Sequence, residues 1–536
     1  MNQRFLTRIA ALIGGAAVAT AAHSITVTGV AADPSGKPTA NVFVTAEDGA
    51  RKMAMTVLTD ASGRYRIDDL FAGQYTVRAR KAGFGDSPDA ALTLNVADAA
   101  VNLKLAPDDA LHLSTPGAAW LNPLPDSPMK ASFITQCTIC HDQGSPLAHI
   151  PRDTQGWTAI ITQMRNVHES YASLVNPDMA PLAKWLAEQG YGTRMAPFNA
   201  FTDNAHVATT ARITEYSVGT MDSWAHDIVI EPSTGTAWVG DYLQDVVTAI
   251  NPVTGEQKSY PAPFKGAGMH SLSFDRDGKL WITLQLVAKV AQFNTKTGEW
   301  RIYGGFTAGS LNHSFAIDSE GFVKKDPKGR LYVSTWGNDQ TTLLDPTTGE
   351  VKEIRVSGKH ADKPYGIAVD SKGLIWYTKY SENMLGFVDP TTGQGKEWPL
   401  AHPDSGPHRM HIDNDDNLWI PLSGYGTLLR YNTYTGSQKE YALPDKDNFT
   451  YAARYDSKSD RVWITGNGGN AIYAFNPHTE RFTTFRMPSP LSYGRMVATD
   501  YTNGDVWTGL ASFPNKLSLR DHSIVVRIHH ALDLVR

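Results

Sequence analysis

The sequence predicts a multidomain, mainly β chain built from a small β-sandwich, a small α-helical domain and a seven-bladed β-propeller. Three observations carry this. The stretch after residue 23 alternates apolar and polar residues between Asp/Gly-containing turns; the only two cysteines lie three positions apart at the start of a helical stretch; and aromatic markers recur through the C-terminal part at a near-constant period. Composition agrees. The 536 residues carry 49 Lys+Arg against 54 Asp+Glu, a net charge of −5, which gives no electrostatic case for a nucleic acid or an anionic membrane as partner. Hydrophobic residues make up 41% of the chain, enough for packed cores throughout. Two cysteines cannot make a disulfide framework, so their own chemistry needs an account.

Residues 1–22 run from a basic start (Arg4, Arg8) through a short Ala/Leu/Ile/Gly/Val stretch to Ala19-Thr20-Ala21, the order of a cleaved secretory signal. A periplasmic or otherwise exported protein is expected. The apolar run from Ile9 to Ala22 is shorter than the ~20 residues that cross a bilayer, so no membrane span is expected.

Residues 24–105 supply the β-sandwich: short alternating runs such as Ile25–Val30 and Val42–Thr45, separated by the turns Asp33-Pro34-Ser35-Gly36 and Asp60-Ala61-Ser62-Gly63. The order of turns and strands resembles the carboxypeptidase regulatory-like domain, which implies an accessory module; no nucleophile, acid–base pair or metal cluster stands out in it. Residues 106–127, rich in Pro, Asp and Ala, read as a linker.

Within residues 128–196, Cys137-Thr138-Ile139-Cys140-His141 is the strong chemical motif. Two thiols at this spacing attach to the two vinyl groups of a haem, and the adjacent His supplies an axial ligand. A zinc site would need further cysteines, and a redox dithiol would need a strand before it and an α/β domain around it. The expectation is a cytochrome c-like domain with one covalent haem c. Met164, His168, Met179 and Met195 are candidates for the sixth ligand. "TQGWTAIITQMRNVHESY" reads as a helix with Trp157, Ile160, Ile161 and Met164 on one face, and "NPDMAPLAKWLAEQGYG" as a closing helix started by Asn176 and Pro177. The segment resembles the haem-binding domain of quinohaemoprotein amine dehydrogenases. The resemblance implies roles for Cys137, Cys140, His141, Trp157 and Met164, but this chain has one haem motif where that subunit has two, and amine oxidation does not follow.

Residues 207–536 repeat. Trp238, Trp281, Tyr332, Trp376, Trp419, Trp463 and Trp507 stand at separations of 43, 51, 44, 43, 44 and 44, the period of four-stranded propeller blades. A tight-turn signature, Asn251 to Glu256, recurs at Asn294, Asp345, Asp389, Asn432 and Asn476. The long third unit carries an extra turn in "DSEGFVKKDPKGRLY", and "ARITEYSV" (211–218) is placed to close the ring by pairing with the last unit.

Counting back 11 to 13 residues from the markers lands on the residue that opens each innermost strand: His226, His270, Tyr365, His408, Ala452 and Gly494, with His313 in the long third unit. Inner strands line a central channel, so four histidines in register converge. They suit a non-haem ion (Fe, Cu, Mn or Zn), or they cap the channel and hydrogen-bond the neighbouring blade. Arg409, His411, Arg454 and Arg495 near the inner-strand starts, with Asp241, Asp339 and Lys379 after second strands, are expected at the same mouth. Tyr365, Lys379, Arg409, Arg454 and Arg495 are candidates to hold an anionic substrate.

The repeat "KPYGIAVDSKGLIWYTKYSENMLGFVDPTTGQGKEWPL" resembles the blade of the virginiamycin B lyase family. That resemblance implies a metal-dependent opening of a cyclic depsipeptide by a blade-start His, matched at His270, His313 and His408, and a Glu after the second-strand marker. No marker here is followed by that Glu: the residues are Ile282-Thr283-Leu284, Tyr377-Thr378-Lys379, Ile420-Pro421-Leu422 and Ile464-Thr465-Gly466. Three functions stay open at this point. The first is an oxidoreductase coupling a small-molecule substrate or metal site at the propeller mouth to the haem, with a redox partner protein. The second is a non-catalytic haem electron carrier that docks through its propeller. The third is a lyase with an accessory cytochrome.

Overall fold

The computed structural model describes residues 24–107, 115–167, 178–198, 206–356, 363–512, 515–518 and 520–530. The expected signal segment therefore lies outside the described residues, as does His168. No helix among the described residues is long and apolar enough to cross a membrane.

Seven four-stranded antiparallel units follow one another through the C-terminal part. Their innermost strands begin at Ala225, Met269, Asn312, Pro364, Pro407, Thr450 and Gly494. Each innermost strand packs on the next, and the seventh packs on the first, so the units form a ring. Arg212–Val218 is the outermost strand of the seventh blade, pairing antiparallel with Ser523–His529.

Two repeated devices explain the aromatic period. The marker aromatic lies on the second strand, and in three blades its indole N–H donates to the Asp six residues earlier: Trp281 to Asp275, Trp376 to Asp370 and Trp419 to Asp413, all at 2.9 Å. The other oxygen of each Asp accepts backbone N–H groups of the turn between the first and second strands. One carboxylate thus closes a turn and satisfies a buried indole. The second device is the turn between outer strands. Asp345 accepts from Thr347 and Thr348, and Gly349 sits at φ +79, a conformation that carries a steric cost for any side chain. The extra turn of the third blade is bracketed by the bridges Ile317–Val323 and Lys325–Leu331.

The N-terminal β domain is joined to this ring more tightly than an accessory module need be. Its strand Met53–Leu58 pairs antiparallel with Arg212–Val218, continuing the seventh blade into an eight-stranded sheet that ends at Ala90–Leu94. The blade's outer edge is thereby covered rather than left to solvent. Ile25, Val27, Val44, Val77, Tyr216, Trp507 and Val525 belong to one buried cluster spanning both parts.

Among the described residues four helices lie between the β parts: α1 (Gly117–Leu121), α2 (Pro128–Cys137), α3 (Thr154–Val167) and α4 (Ala180–Glu188). α1 falls in the stretch expected to be a linker. Trp120, Leu121 and Leu124 are buried there with Phe133, Trp157, Leu182, Leu186 and Tyr191, so this end of the stretch is core. Ser127 caps α2 through the Lys130 N–H, and Pro128 at the first position fits an unpaired helix start. α4 begins at Ala180; Asn176 and Pro177 lie outside the described residues.

Gly349→Ala should destabilise the chain by about 1 kcal/mol, because nothing lies within 4 Å of the added methyl and only the backbone conformation is penalised. Denaturant unfolding of the two proteins measures it, and an unchanged midpoint would contradict the turn geometry.

Candidate functional site

Each innermost strand starts irregularly. Register jumps between Ala225 and Ile228, Met269 and Leu272, Asn312 and Phe315, Pro364 and Ile367, Thr450 and Ala453, and Gly494 and Val497. A bulge of this kind breaks the alternation of faces. The residue right after the first paired position in each blade is His226, His270, His313, Tyr365, His408, Tyr451 and Arg495, all buried. In the sixth and seventh blades these are Tyr451 and Arg495, not the expected Ala452 and Gly494. The offset from the marker is 12 in both, as it is for His226, and 11 for His270, Tyr365 and His408. Choosing the bulky polar residue within the window would have found them. The bulge frees a backbone N–H, which the residue two after the marker accepts: Thr283 from Ser271, Ser334 from Ser314, Thr378 from Gly366 and Thr465 from Ala452.

The seven side chains form a belt. Ring centroids are 4.1 Å apart for His226–His270, 3.9 Å for His270–His313, 4.3 Å for His313–Tyr365, 4.7 Å for Tyr365–His408 and 4.3 Å for His408–Tyr451. His226 Nδ1 donates to the carbonyl of His270, and His270 Nδ1 to that of His313, so these two imidazoles bond the next blade, while His313 Nδ1 meets Ser314 of its own strand. The rings lie flank to flank. Among the described residues no three His, Cys, Asp or Glu side chains gather as a metal-ligand set; His226, His270, His313 and His408, the residues expected to hold a non-haem ion, stand side by side around the belt, with Tyr365 between the last two. A hydrogen-bonded line runs through the belt: Tyr365 to Tyr451 at 3.0 Å, Tyr451 to His226 Nε2 at 3.3 Å, and His226 Nδ1 to Asp227 at 3.0 Å. Arg409 crosses the channel to grip Asp227 with two bonds of 2.5 and 2.8 Å.

These pairings account for the charges. Burial pushes the Asp227 carboxyl up, but Arg409 and His226 outweigh it and hold it well below the usual range. Burial drives His226 down to about 4, partly opposed by Asp227, and drives His270, His313 and His408 well below the ordinary imidazole range. The cations expected to hold an anionic substrate are committed elsewhere. Lys379 is fully buried among Glu397 (2.9 Å), Asp339 (3.3 Å) and Glu382 (3.9 Å), and Arg454 donates to the Val497 carbonyl deeper along the channel.

The mouth above the belt is occupied by the chain itself. Ile139, between the two cysteines, is buried against Trp224, Tyr242, Trp336, Tyr365, Tyr380 and Ala511. The propeller then grips the backbone around it. Tyr380 donates to the Thr135 carbonyl at 2.6 Å and Tyr493 to that of Thr138, while Arg495 donates to Ile139 at 3.0 Å and Cys140 at 3.2 Å. Lys130 of α2 adds an ion pair with Asp447 at 2.7 Å. Cys137 ends α2 and Cys140 follows on the next turn. Burial pushes the Cys137 thiol up to about 12 and raises Cys140, whose shift Arg495 opposes. His141 Nδ1 lies 3.3 Å from the Asp142 carbonyl, and burial lowers this imidazole as well. Of the other ligand candidates, Met164 on α3 is 45% exposed, Met179 is buried at the start of α4 and Met195 is partly buried.

The buried imidazoles make stability pH-dependent. His411 is held at about 3 by burial, with Arg454 adding to the effect, and its Nδ1 accepts from the Tyr455 N–H. The unfolded chain protonates this side chain below pH 6.5 while the folded chain does not, so its contribution is complete above that pH and is lost as pH falls toward 3. His411→Asn, which keeps an acceptor, should reduce the slope of stability against pH by at most about 1.4 kcal/mol per pH unit between pH 6 and 4. Urea unfolding across that range checks it, and identical slopes would refute the assignment.

Comparison with known proteins bears on two parts of the chain. The virginiamycin B lyase family model matches residues 323–514, and that of the carboxypeptidase regulatory-like domain matches residues 26–106. No curated protein matches. Among solved structures, selenomethionine-substituted virginiamycin B lyase from Staphylococcus aureus superposes with a TM-score of 0.51 at 17% identity, over 60% of this chain and 100% of that one. A catalytically inactive variant of that enzyme with quinupristin gives 0.50 at 18%, over 60% and 100%. A streptogramin B lyase structure gives 0.50 at 19%, over 59% and 98%. At such identities the likeness is one of fold: the C-terminal part is a virginiamycin B lyase-like β-propeller, and the N-terminal part is a carboxypeptidase regulatory-like domain.

Proposed function

We propose that this chain is an exported electron-transfer protein carrying one c-type haem on Cys137 and Cys140, with His141 as axial ligand and the propeller as the platform beneath it. The observation that carries the reading is that the Cys-Thr-Ile-Cys-His turn is seated on the propeller axis, with Ile139 buried in the mouth and Tyr380, Tyr493 and Arg495 bonded to its backbone.

The donor set fits a haem. Both thiols lie on one turn, partly buried, and the Nδ1 contact of His141 leaves its Nε2 for iron. Leu147, Ile150 and Met164 are exposed apolar side chains in the same segment, surface of the kind a porphyrin covers. Met164 follows Trp157 and Ile161 at helical spacing, on the outward end of their face, and is the sixth ligand we favour. When bound, the haem supplies one-electron chemistry. The chain's own groups Tyr380, Tyr493 and Arg495 would hold the attachment turn in place beneath it.

A substrate site at the mouth is the less favoured form of this reading, since Ile139 fills the position where the inner-strand residues converge. Lyase action is the second reading. The match over residues 323–514 favours it, while the filled mouth and the absent acid after the second-strand markers weigh against it.

The test is export with c-type haem maturation, followed by denaturation. Haem should stay with the unfolded chain and be lost from the Cys137→Ala/Cys140→Ala variant, because thioethers need the thiols; a parent chain that releases its haem, or binds none, overturns the proposal. Met164→Ala should alter the haem spectrum and lower the midpoint potential, since Met ligation raises it. An unchanged spectrum would move the assignment to Met179 or His168.

A further inference from the structure

Beneath Ile139 the belt holds a phenol paired with a base. Tyr451 and His226 are both buried, and the Tyr451 hydroxyl lies 3.3 Å from His226 Nε2. The far end of this line fixes its direction. His226 Nδ1 is the protonated nitrogen, since it faces the Asp227 carboxylate at 3.0 Å and the His270 carbonyl at 3.2 Å, so Nε2 accepts and Tyr451 donates. With its own proton spent, the Tyr451 oxygen accepts from Tyr365, whose hydroxyl is 3.0 Å away. Behind His226, Arg409 holds Asp227 with two bonds, so a second proton on the imidazole would face a carboxylate already fixed in place.

The axis is covered by protein at both ends. Ile139 fills the mouth, and the extra turn of the third blade crosses the far end. There the Ser319 carbonyl accepts from the Ser457 N–H of the sixth blade at 3.2 Å, the Gly321 carbonyl from Ser273 of the second at 2.8 Å, and Phe322 stacks on Tyr501 of the seventh. A proton leaving Tyr451 thus has His226 as its acceptor within hydrogen-bond reach. One ring links the pair to the mouth: Tyr493, 6.2 Å from Tyr451 between centroids, donates to the Thr138 carbonyl.

We infer that Tyr451 is a reversible one-electron site: an outer-sphere one-electron oxidant takes an electron from the phenol, the O–H bond breaks as its proton passes to His226 Nε2, and a neutral tyrosyl radical remains. Its oxygen then accepts from Tyr365 and from the new imidazolium N–H. One positive charge appears on His226, beside Asp227, for the one electron removed. On reduction the electron returns and the proton moves back to the phenol oxygen. Burial keeps the radical from colliding with a second chain, and the proton stays one hydrogen bond away, so the radical is long-lived. The inference does not require the haem, whose attachment turn above Tyr493 supplies only a route by which an oxidant reaches the site.

The experiment uses the full-length purified chain, oxidised by flash-generated tris(bipyridine)ruthenium(III) and frozen for electron paramagnetic resonance. The long-lived part of the tyrosyl signal should show coupling to an imidazole nitrogen, detected with isotopically labelled histidine, and should vanish in Tyr451→Phe. His226→Gln, which offers an amide in place of a base, should shorten its lifetime by about tenfold or more. An unchanged signal in Tyr451→Phe overturns the inference. So does a signal without histidine coupling, which would put the radical on a tyrosine paired with a carboxylate, such as Tyr377 with Glu397 or Tyr441 with Glu480. Should His226→Gln not fold, the nitrogen coupling decides alone. A parent chain without haem overturns the haem reading and leaves this test able to succeed or fail by itself.

Discussion

The constraint on which the rest of the structure depends is the bulge at the start of the innermost strands. A regular strand would alternate its faces, and only every second residue would meet the axis. The irregular step sends the blade-start residue inward in each unit, and the freed N–H is taken up by a Thr or Ser on the second strand in several blades. Seven large polar side chains then have to share a dry axis. Six of them, from His226 to Tyr451, are aromatic or imidazole rings that pack in sequence, and the one cation turns toward the mouth.

Burial sets the protonation of this belt. An imidazole away from water stays neutral and needs a carbonyl for its N–H; His226 and His270 find theirs on the adjacent blade. A carboxylate in the same place needs a full partner, and Asp227 has the bidentate Arg409. His226 and His270 thus fasten one blade to the next. The fold is shared with the lyase structures, and in this chain the mouth is filled by the Cys-Thr-Ile-Cys-His turn of the preceding segment.

Both ends of the ring are bound to other parts of the chain. At the mouth, a hydroxyl of the fourth blade and a hydroxyl and a guanidinium at the start of the seventh hold the backbone of residues 135–140. At the side, the closing blade shares its outer strand with the N-terminal domain, which covers an edge that would otherwise invite pairing with another chain. The sandwich, the helices and the ring thus meet through backbone hydrogen bonds and common cores rather than through flexible connections alone.

Local order was legible in the sequence because it is local in cause. The Asp-to-Trp spacing of six, the Asn/Asp turns with Gly and the 43–44-residue period each report contacts made within one blade, and they place the seven units and the closing strand 212–218. The spacing of Cys137, Cys140 and His141 is likewise a property of one turn. What only the tertiary structure decided is how separate parts meet. The bulges shift the inward residue by one, so that Tyr451 and Arg495, not Ala452 and Gly494, face the axis. Trp120 and Leu121, in a stretch that reads as linker, become core because helices distant in sequence cover them. Arg495, Lys379 and Arg454 look like free cations in a linear chain. Lys379 is paired with Glu397 of its own blade and Asp339 of the blade before, Arg454 donates to Val497 of the next blade, and only folding brings Arg495 onto the carbonyls of Ile139 and Cys140.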